Sequence, residues 1–213
     1  VVGTAITADA NGRPAIMVLT ETALGVGRLP AKLGNYQVVE EVTGKIVAHK
    51  GGGGGVSHTA LQTPPIQLGT SGGPASDLAN GFCCGGTLGS LVRKGTTQYV
   101  LSNYHVLEAD IVHGGNGRVA QAGDPVVQPG LIDVSCNANP ARNVASLSGI
   151  KSLPGSNVDA AIASVISGQV RTDGSILEVG TIANTTVGAS VGQRVKKSGR
   201  TTGLSRSSVT GLN

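Results

Sequence analysis

Short apolar runs separated by turn residues fill the second half of the chain, and they constrain its fold most strongly. Six candidate strands follow one another within about 80 residues, with almost no helical periodicity between them. They are residues 87–92, 98–102, 117–120, 125–128, 144–147 and 158–165. Strands of this length, with glycine-rich turns between them, are typical of a β-barrel or a β-sandwich. The sequence therefore predicts a mainly β protein.

The composition excludes several classes of protein. Glycine accounts for 34 of the 213 residues, and the aromatic residues are only Tyr36, Phe82, Tyr99 and Tyr104. With 39% hydrophobic and 13% charged residues, the chain has enough apolar side chain to collapse, so it is not a disordered polyelectrolyte. The scarcity of aromatic side chains argues against a nucleic-acid partner bound by base stacking. The longest apolar stretches, such as 160–166, are too short to span a membrane, so no membrane partner is expected.

The first 80 residues divide into two parts. Residues 1–50 contain short β-type runs around an Asn11-Gly12 turn signal, which predicts a small N-terminal module. Five consecutive glycines at 51–55 begin a Gly/Pro-rich stretch, and residues 51–80 are therefore predicted to be a linker. His58 lies just beyond the glycines and is interpreted as a surface histidine, because the sequence suggests no partner for its ring.

Two residues occur in a pattern that suits acid–base chemistry. The apolar strand 99–102 runs into the polar residue Asn103, and His105 follows almost at once. A strand end holds a side chain rigidly at the rim of a barrel, where a general base belongs. Asp159 opens the otherwise apolar strand 160–165, where its charge loses water and needs a partner. An imidazole N–H would be such a partner, although a loop histidine and a turn-forming aspartate are the simpler alternative.

Five segments of the chain resemble, in the same order, segments of the trypsin-like (chymotrypsin-fold) serine endopeptidases, in particular a bacterial branch of them. They are 86–89, 100–103 with His105-Val106-Leu107, 128–130, 158–163 and 197–203. Residues 1–50 are similar to the extra N-terminal module often found in that branch. The resemblance implies a trypsin-like double β-barrel, with the first barrel at 81–167 and the start of a second barrel at 168–213.

The resemblance also implies a function. It makes the protein a serine protease that acts on a protein or peptide substrate, with His105 as general base and Asp159 as the carboxylate that orients it. Such an enzyme needs no cofactor and no metal. A pseudoprotease, or a protein-binding module without activity, is the second hypothesis, because such a protein would keep the barrel and lose the nucleophile.

The nucleophile is the part of the family pattern that this chain lacks. The family needs a serine in a Gly-Asp-Ser-Gly turn, which aims two backbone N–H groups at the oxyanion, and no serine after Asp159 is framed in this way. The second barrel also has about three candidate strands where about six are expected. We therefore expect an N-terminal portion or proteolytic fragment, whose complementary C-terminal fragment completes the second barrel and supplies the serine.

One serine before His105 is an alternative nucleophile. Gly69-Thr70-Ser71-Gly72-Gly73-Pro74 resembles a protease nucleophile turn, and its small glycines would let the backbone approach a reacting carbonyl. Ser71 precedes His105, however, which reverses the order of the family. It also lies in the predicted linker, where a nucleophile is difficult to hold in place. A plain structural turn is the favoured interpretation.

The remaining candidates have weaker patterns. Cys136 could form a disulfide with either Cys83 or Cys84, but three buried thiols are the simpler interpretation. The other acidic and histidine candidates are interpreted as turn or surface-loop residues, because nothing clusters them into a metal site: Asp110, Asp124, Asp133 and His113. Three basic residues are expected on a solvated face, with an anion site as the alternative: Lys196, Lys197 and Arg200. The low charge and the Ser, Thr, Gly and Asn content favour a secreted protein, with the bacterial cytoplasm as the alternative.

Overall fold

The fold is described from a computed structural model, for residues 1–45, 55–109, 116–148 and 156–212. The predictions for Asp110, His113 and most of the five-glycine run lie outside the described residues. The described residues are mainly β, as the sequence predicts. No helix among them is long and apolar enough to cross a membrane.

The chain divides into two compact units, and their boundaries differ from those expected. The first unit combines 1–49 with 184–196 and 206–213, and the second combines 50–183 with 197–205. Backbone pairing explains why C-terminal residues belong to the first unit. Ile6 and Leu212 exchange two N–H···O bonds of 2.6 Å, and the Thr7 hydroxyl donates to the carbonyl of Thr210 at 2.7 Å. Residues 168–213 were expected to begin a second barrel, but the last of them pair with the first strand of the chain, at Ile6 and Leu212.

The first unit contains a four-stranded sheet. Its strands are β1 (Gly3–Ala8), β2 (Pro14–Thr20), β3 (Lys32–Leu33) and β4 (Tyr36–Val42), in the order β1-β2-β4-β3. β1 and β2 pair antiparallel on either side of the Asn11-Gly12 turn signal, and β4 then pairs parallel to β2. Gly12 has φ +74°, a left-handed conformation that favours glycine in such a turn.

The second unit contains a seven-stranded, curled half-barrel sheet. The strands of this unit are β5 (Thr70–Pro74), β6 (Leu78–Ala79), β7 (Phe82–Cys83), β8 (Gly86–Leu88), β9 (Ser90–Lys94), β10 (Thr97–Ser102), β11 (Pro125–Gln128), β12 (Arg142–Leu147) and β13 (Ala161–Val165). The sheet has the order β8-β5-β11-β12-β13-β10-β9, and its described pairings are antiparallel. β6 and β7 pair separately as a short hairpin.

Three further elements complete the description. They are the short helix α1 (Tyr104–Leu107), a 3-10 helix (Leu131–Val134), and a two-stranded sheet of β14 (Arg194–Gly199) and β15 (Gly203–Ser208). Both helices have only four residues.

The two end strands of the curled sheet, β8 and β9, are joined by a single residue, Gly89. Its N–H donates to the carbonyl of Leu101 at 3.1 Å, and the Ser102 hydroxyl donates to the carbonyl of Thr87 at 2.6 Å. A Cβ at Gly89 would lie only 2.7 Å from the Leu101 carbonyl oxygen, so the close approach requires glycine. These contacts hold the end of β10 against the β8–β9 connection.

Aliphatic side chains fill the inside of the curled sheet. The fully buried members come from several strands of the sheet, and they include Leu88, Val100, Val126, Val144 and Ala163. No aromatic residue belongs to this cluster of described residues, in keeping with the composition. The core is therefore built from valine, leucine, isoleucine and alanine.

Part of the stretch predicted to be a linker is buried structure. Ile66 and Leu68 are 1% and 0% exposed and belong to the core, and β5 pairs with β8 and β11 within the sheet. Gly72 of β5 allows close packing, because a Cβ at this position would lie 2.4 Å from Cγ of Leu88. Gly72 is therefore explained by the close contact between β5 and β8 and not by chain flexibility.

The expected state of the cysteines also differs from the structure. Cys83 and Cys136 form a disulfide across a sequence separation of 53 residues, so the interpretation of three buried thiols is wrong. The bridge ties β7 to the residues just after the 3-10 helix. Cys84 does not belong to it.

Candidate active site

The topology of the sheet brings His105 and Asp159 together. His105 lies in α1, just after the end of β10, and Asp159 comes just before β13. β10 and β13 are antiparallel neighbours, with Ser102 opposite Ala161. The end of one strand therefore adjoins the start of the other, and the two polar residues meet at the same rim of the sheet.

The two side chains make a short, two-point contact. The imidazole Nδ1 of His105 lies 2.5 Å from Oδ2 of Asp159, and the backbone N–H of His105 donates to Oδ1 at 3.2 Å. About a third of each side chain is exposed, 36% for His105 and 32% for Asp159. The pair is therefore fixed in direction and still accessible from solvent.

Asn103 adds two further hydrogen bonds to the same aspartate. Its Nδ2 lies 3.1 Å from Oδ2 of Asp159 and 3.1 Å from the Asp159 carbonyl oxygen. Asn103 is the N-cap residue of α1, yet its side chain makes no capping hydrogen bond to the helix. The N–H of His105 at the start of the helix is instead satisfied by the Asp159 carboxylate.

These contacts set the electrostatics of the aspartate. Partial burial acts to raise the pKa of Asp159, but hydrogen bonds from the backbone and ring of His105 and from Asn103 outweigh burial and lower that pKa below its usual value. An ionised Asp159 requires a hydrogen on Nδ1 of His105. In the neutral ring, Nε2 then carries the free lone pair, and no described residue forms a hydrogen bond with it. This is the arrangement of a general base.

Beside the pair lies a small cavity of about 10 Å³, lined in part by His105, Asp77, Glu108 and Arg118. A cavity of this volume has room for about one water molecule. Burial raises the pKa of Glu108, and its Oε2 atom is buried without a hydrogen-bond partner among the described residues. The sequence analysis did not identify Glu108.

Ser71, the alternative nucleophile, is not brought to His105. It lies in β5, fully buried, and its hydroxyl donates to Oδ2 of Asp133 at 2.5 Å. The same hydroxyl oxygen accepts the N–H of Gly130 at 2.9 Å. Both hydrogen-bonding roles of the hydroxyl are therefore occupied by structural contacts. Ser71 lies in a buried strand, however, and not in the plain turn that was expected.

Asp133 and Arg200 form an ion pair, which differs from the turn residue and the solvated basic residue that the sequence suggested. The Arg200 guanidinium binds the Asp133 carboxylate with two hydrogen bonds, from Nε at 2.7 Å and from Nη2 at 2.5 Å. The side chains are only 20% and 9% exposed. Asp133 is thus half of an interior ion pair rather than a plain turn former, and Arg200 does not lie on a solvated face. The hydrogen bonds that Arg200 donates to the Asp133 carboxylate raise the pKa of Arg200.

His58 is not a surface histidine, so that interpretation is wrong. It is 6% exposed, with Nδ1 2.8 Å from the Gly69 carbonyl oxygen and Nε2 2.6 Å from Oε2 of Glu178. The hydrogen bond from His58 lowers the pKa of Glu178. The Ser198 hydroxyl lies 3.4 Å from Nδ1 of His58 and donates to the Gly69 carbonyl at 3.2 Å. Because the Gly69 carbonyl takes the hydrogen on Nδ1, His58 cannot activate Ser198.

The other candidates agree with their simpler interpretations. Asp124 accepts the N–H of Gln121 at 2.8 Å, as a turn-forming aspartate does. Lys196 and Lys197 are exposed. In the part of the chain that the structure describes, no three His, Cys, Asp or Glu side chains are grouped as metal ligands would be.

Neither protein-family models nor curated protein sequences gave a match to this chain.

Proposed function

We propose that this protein is a trypsin-like serine endopeptidase in which His105 is the general base and Asp159 orients it. The observation that carries the proposal is the paired contact of one carboxylate with the ring Nδ1 and the backbone N–H of His105. A carboxylate in this position fixes the tautomer of the ring and stabilises the imidazolium that forms when Nε2 takes a proton.

The proposed reaction is acyl transfer. A serine hydroxyl attacks the peptide carbonyl carbon while Nε2 of His105 takes its proton, and a tetrahedral intermediate forms. The C–N bond then breaks, and the imidazolium returns the proton to the leaving amine. Water hydrolyses the acyl-enzyme by the same two steps, with His105 again acting as base and then as acid. Asp159 remains ionised throughout, in keeping with its lowered pKa.

The serine in this proposal comes from a segment C-terminal to residue 213. Ser71 is committed to Asp133 and Gly130, Ser198 contacts Gly69 and His58, and Ser102 donates to Thr87. Among the described serines, none forms a hydrogen bond with His105. In the proposed enzyme, the curled sheet is the first barrel of a double barrel, and the complementary segment supplies the second barrel, the nucleophile and the specificity pocket.

The test uses the product of the complete gene, with a fluorophosphonate probe and a casein-like substrate. We expect the wild-type protein to be labelled at a serine beyond residue 213, as mapped by mass spectrometry, and to hydrolyse casein. His105→Ala should abolish both, because the serine loses its base. Asn139→Ala, a change at an exposed residue, is the matched control.

Three outcomes would decide against the proposal. Full hydrolysis by His105→Ala would remove His105 from the mechanism. Labelling of Ser71 would support the reversed site. The absence of both labelling and hydrolysis in the wild-type protein would favour a pseudoprotease or binding module.

A further inference from the structure

The side chain of Asn103, the N-cap residue of α1, forms hydrogen bonds with Asp159 and not with the first turn of the helix. Asparagine is favoured at this position because its side-chain oxygen accepts a backbone N–H from the first turn. In α1 that bond is absent, and the backbone N–H of His105 is taken by Asp159. The amide of Asn103 is instead directed to Asp159. The side chain of this N-cap residue therefore bonds Asp159 and makes no capping hydrogen bond to α1.

The two hydrogen bonds from Asn103 hold the aspartate at two places. One reaches Oδ2, the same oxygen that accepts the ring of His105, and the other reaches the Asp159 main-chain carbonyl. A donor that bonds both the side chain and the main chain of one residue restricts rotation of the carboxylate about χ1 and χ2. It also favours the ionised carboxylate, because a hydrogen bond to the charged form stabilises that form.

We propose that Asn103 is a positioning residue for the His105–Asp159 pair: its amide donates to Asp159 and so keeps the carboxylate turned toward Nδ1 of His105. The catalytic consequence of this role rests on the proposed peptidase function. The positioning itself concerns only three described residues and can be measured without turnover.

The substitution Asn103→Asp removes the hydrogen-bond donor at nearly constant shape, and it also places a second carboxylate beside Asp159, which is why the uncharged Asn103→Ala variant is measured with it. Aspartate has nearly the same size as asparagine and is an equally good N-cap residue, but an ionised carboxylate has no hydrogen to donate. Asn103→Ala removes the donor together with the side-chain shape and adds no charge; no capping hydrogen bond is lost, because the Asn103 side chain makes none. A purely structural role for Asn103 would be lost in the alanine variant and kept in the aspartate variant.

The primary measurement is the low-field NMR resonance of the His105 Nδ1 proton in the full chain. Histidine labelled with ¹⁵N, together with His105→Gln, assigns this signal among the four histidines. We expect both Asn103→Asp and Asn103→Ala to move the resonance upfield and to speed its exchange with water. Asn139→Ala should leave it unchanged, and Asn103→Asp should keep the wild-type melting temperature within a few degrees.

A second measurement applies the proposal to catalysis. In the complete enzyme, we expect both Asn103 variants to lower kcat about 10-fold with KM nearly unchanged, since orientation of the base matters only as the proton moves.

The outcomes separate the two proposals. An unmoved Nδ1 resonance in both variants would overturn the positioning role, whatever the enzyme does. A change in Asn103→Ala alone would show a structural role and would equally overturn it. If His105→Ala retained full hydrolysis, the peptidase proposal would fail, while the resonance would still report whether Asn103 positions the pair.

Discussion

Asp159 accepts both the ring N–H and the backbone N–H of His105, one with each carboxylate oxygen. The two residues are 54 positions apart in the chain, yet the contact fixes the imidazole relative to its own main chain. Rotation of the ring away from Asp159 would break the shorter hydrogen bond while the longer one still held the carboxylate in place. The geometry therefore favours a single ring orientation, with Nε2 free.

The first prediction concerns the charge of Asp159. In Asp159→Asn, an amide replaces the carboxylate and cannot stabilise an imidazolium, so we expect kcat to fall by a factor on the order of 10⁴ with little change in KM. Steady-state kinetics of the complete enzyme measure this loss. Asp173→Asn is the control, because Asp173 is an exposed partner of Arg171. A loss of similar size in both variants would point to general destabilisation rather than catalysis.

The second prediction distinguishes structural from catalytic roles around Ser71. Asp133→Asn leaves the Arg200 guanidinium without its charged partner in a largely buried site, and we expect a loss of about 3 kcal/mol in the free energy of unfolding. Ser71→Ala removes the donor to the Asp133 carboxylate and leaves the buried N–H of Gly130 without its acceptor, so it should cost about 2 kcal/mol. Urea unfolding gives both values. Ser71→Ala should also retain hydrolysis, and its inactivity in a folded protein would restore Ser71 as a nucleophile.

The third prediction is a pH dependence caused by Glu178. Its pKa in the folded state is lowered, chiefly by the hydrogen bond from His58. The interaction of the ionised Glu178 carboxylate with His58 therefore stabilises the fold above the unfolded-state pKa of Glu178, about 4.3, and that stabilisation is lost as the pH falls through the lower folded-state pKa. We expect the melting temperature of the wild type to exceed that of Glu178→Gln at pH 6, with the difference shrinking below pH 4.

Glu41→Gln serves as the control for this experiment, because Glu41 is exposed. Its melting temperature should follow the wild type across the same pH range. A constant difference between wild type and Glu178→Gln down to pH 3 would show that the charge of Glu178 does not contribute to stability.

The fourth prediction concerns the disulfide. Of the three cysteines, two are in the Cys83–Cys136 bridge, so the denatured, unreduced protein should show one titratable thiol and Cys84→Ser should show none. Replacing both Cys83 and Cys136 by serine should lower the free energy of unfolding by about 4 kcal/mol, from the entropy of the released loop. Two titratable thiols in Cys84→Ser would contradict the assigned pairing.

The sequence located the His105–Asp159 pair because both residues follow a local pattern. Each is a polar residue at the end of an apolar strand, and antiparallel neighbours bring such ends together. Asn103 occurs in the same polar break, but nothing in its neighbourhood shows that its amide is directed to Asp159. The double-barrel architecture, the nucleophile and the peptidase activity remain predictions.

The sequence interpretation failed where a partner lies far away in the chain. His58 and Glu178 are 120 positions apart, and neither has a local pattern that predicts the other. The choice between Cys83 and Cys84 as the partner of Cys136 likewise depends on tertiary structure. At β5 the glycines suggested flexibility, although the alternation of apolar Ile66 and Leu68 was a strand signal just before it.

The single glycine between β8 and β9 has a consequence for how the sheet forms. Because side chains alternate along a strand, a slip of β8 against β5 by one position would turn Leu88 out of the interior. Because only Gly89 separates β8 from β9, the same slip would also shift the register of β9 against β10. The correct register of β8 against β5 therefore requires the correct register of β9 against β10 at the other end of the sheet. This coupling favours cooperative assembly of the sheet over intermediates in which only some strands are in register.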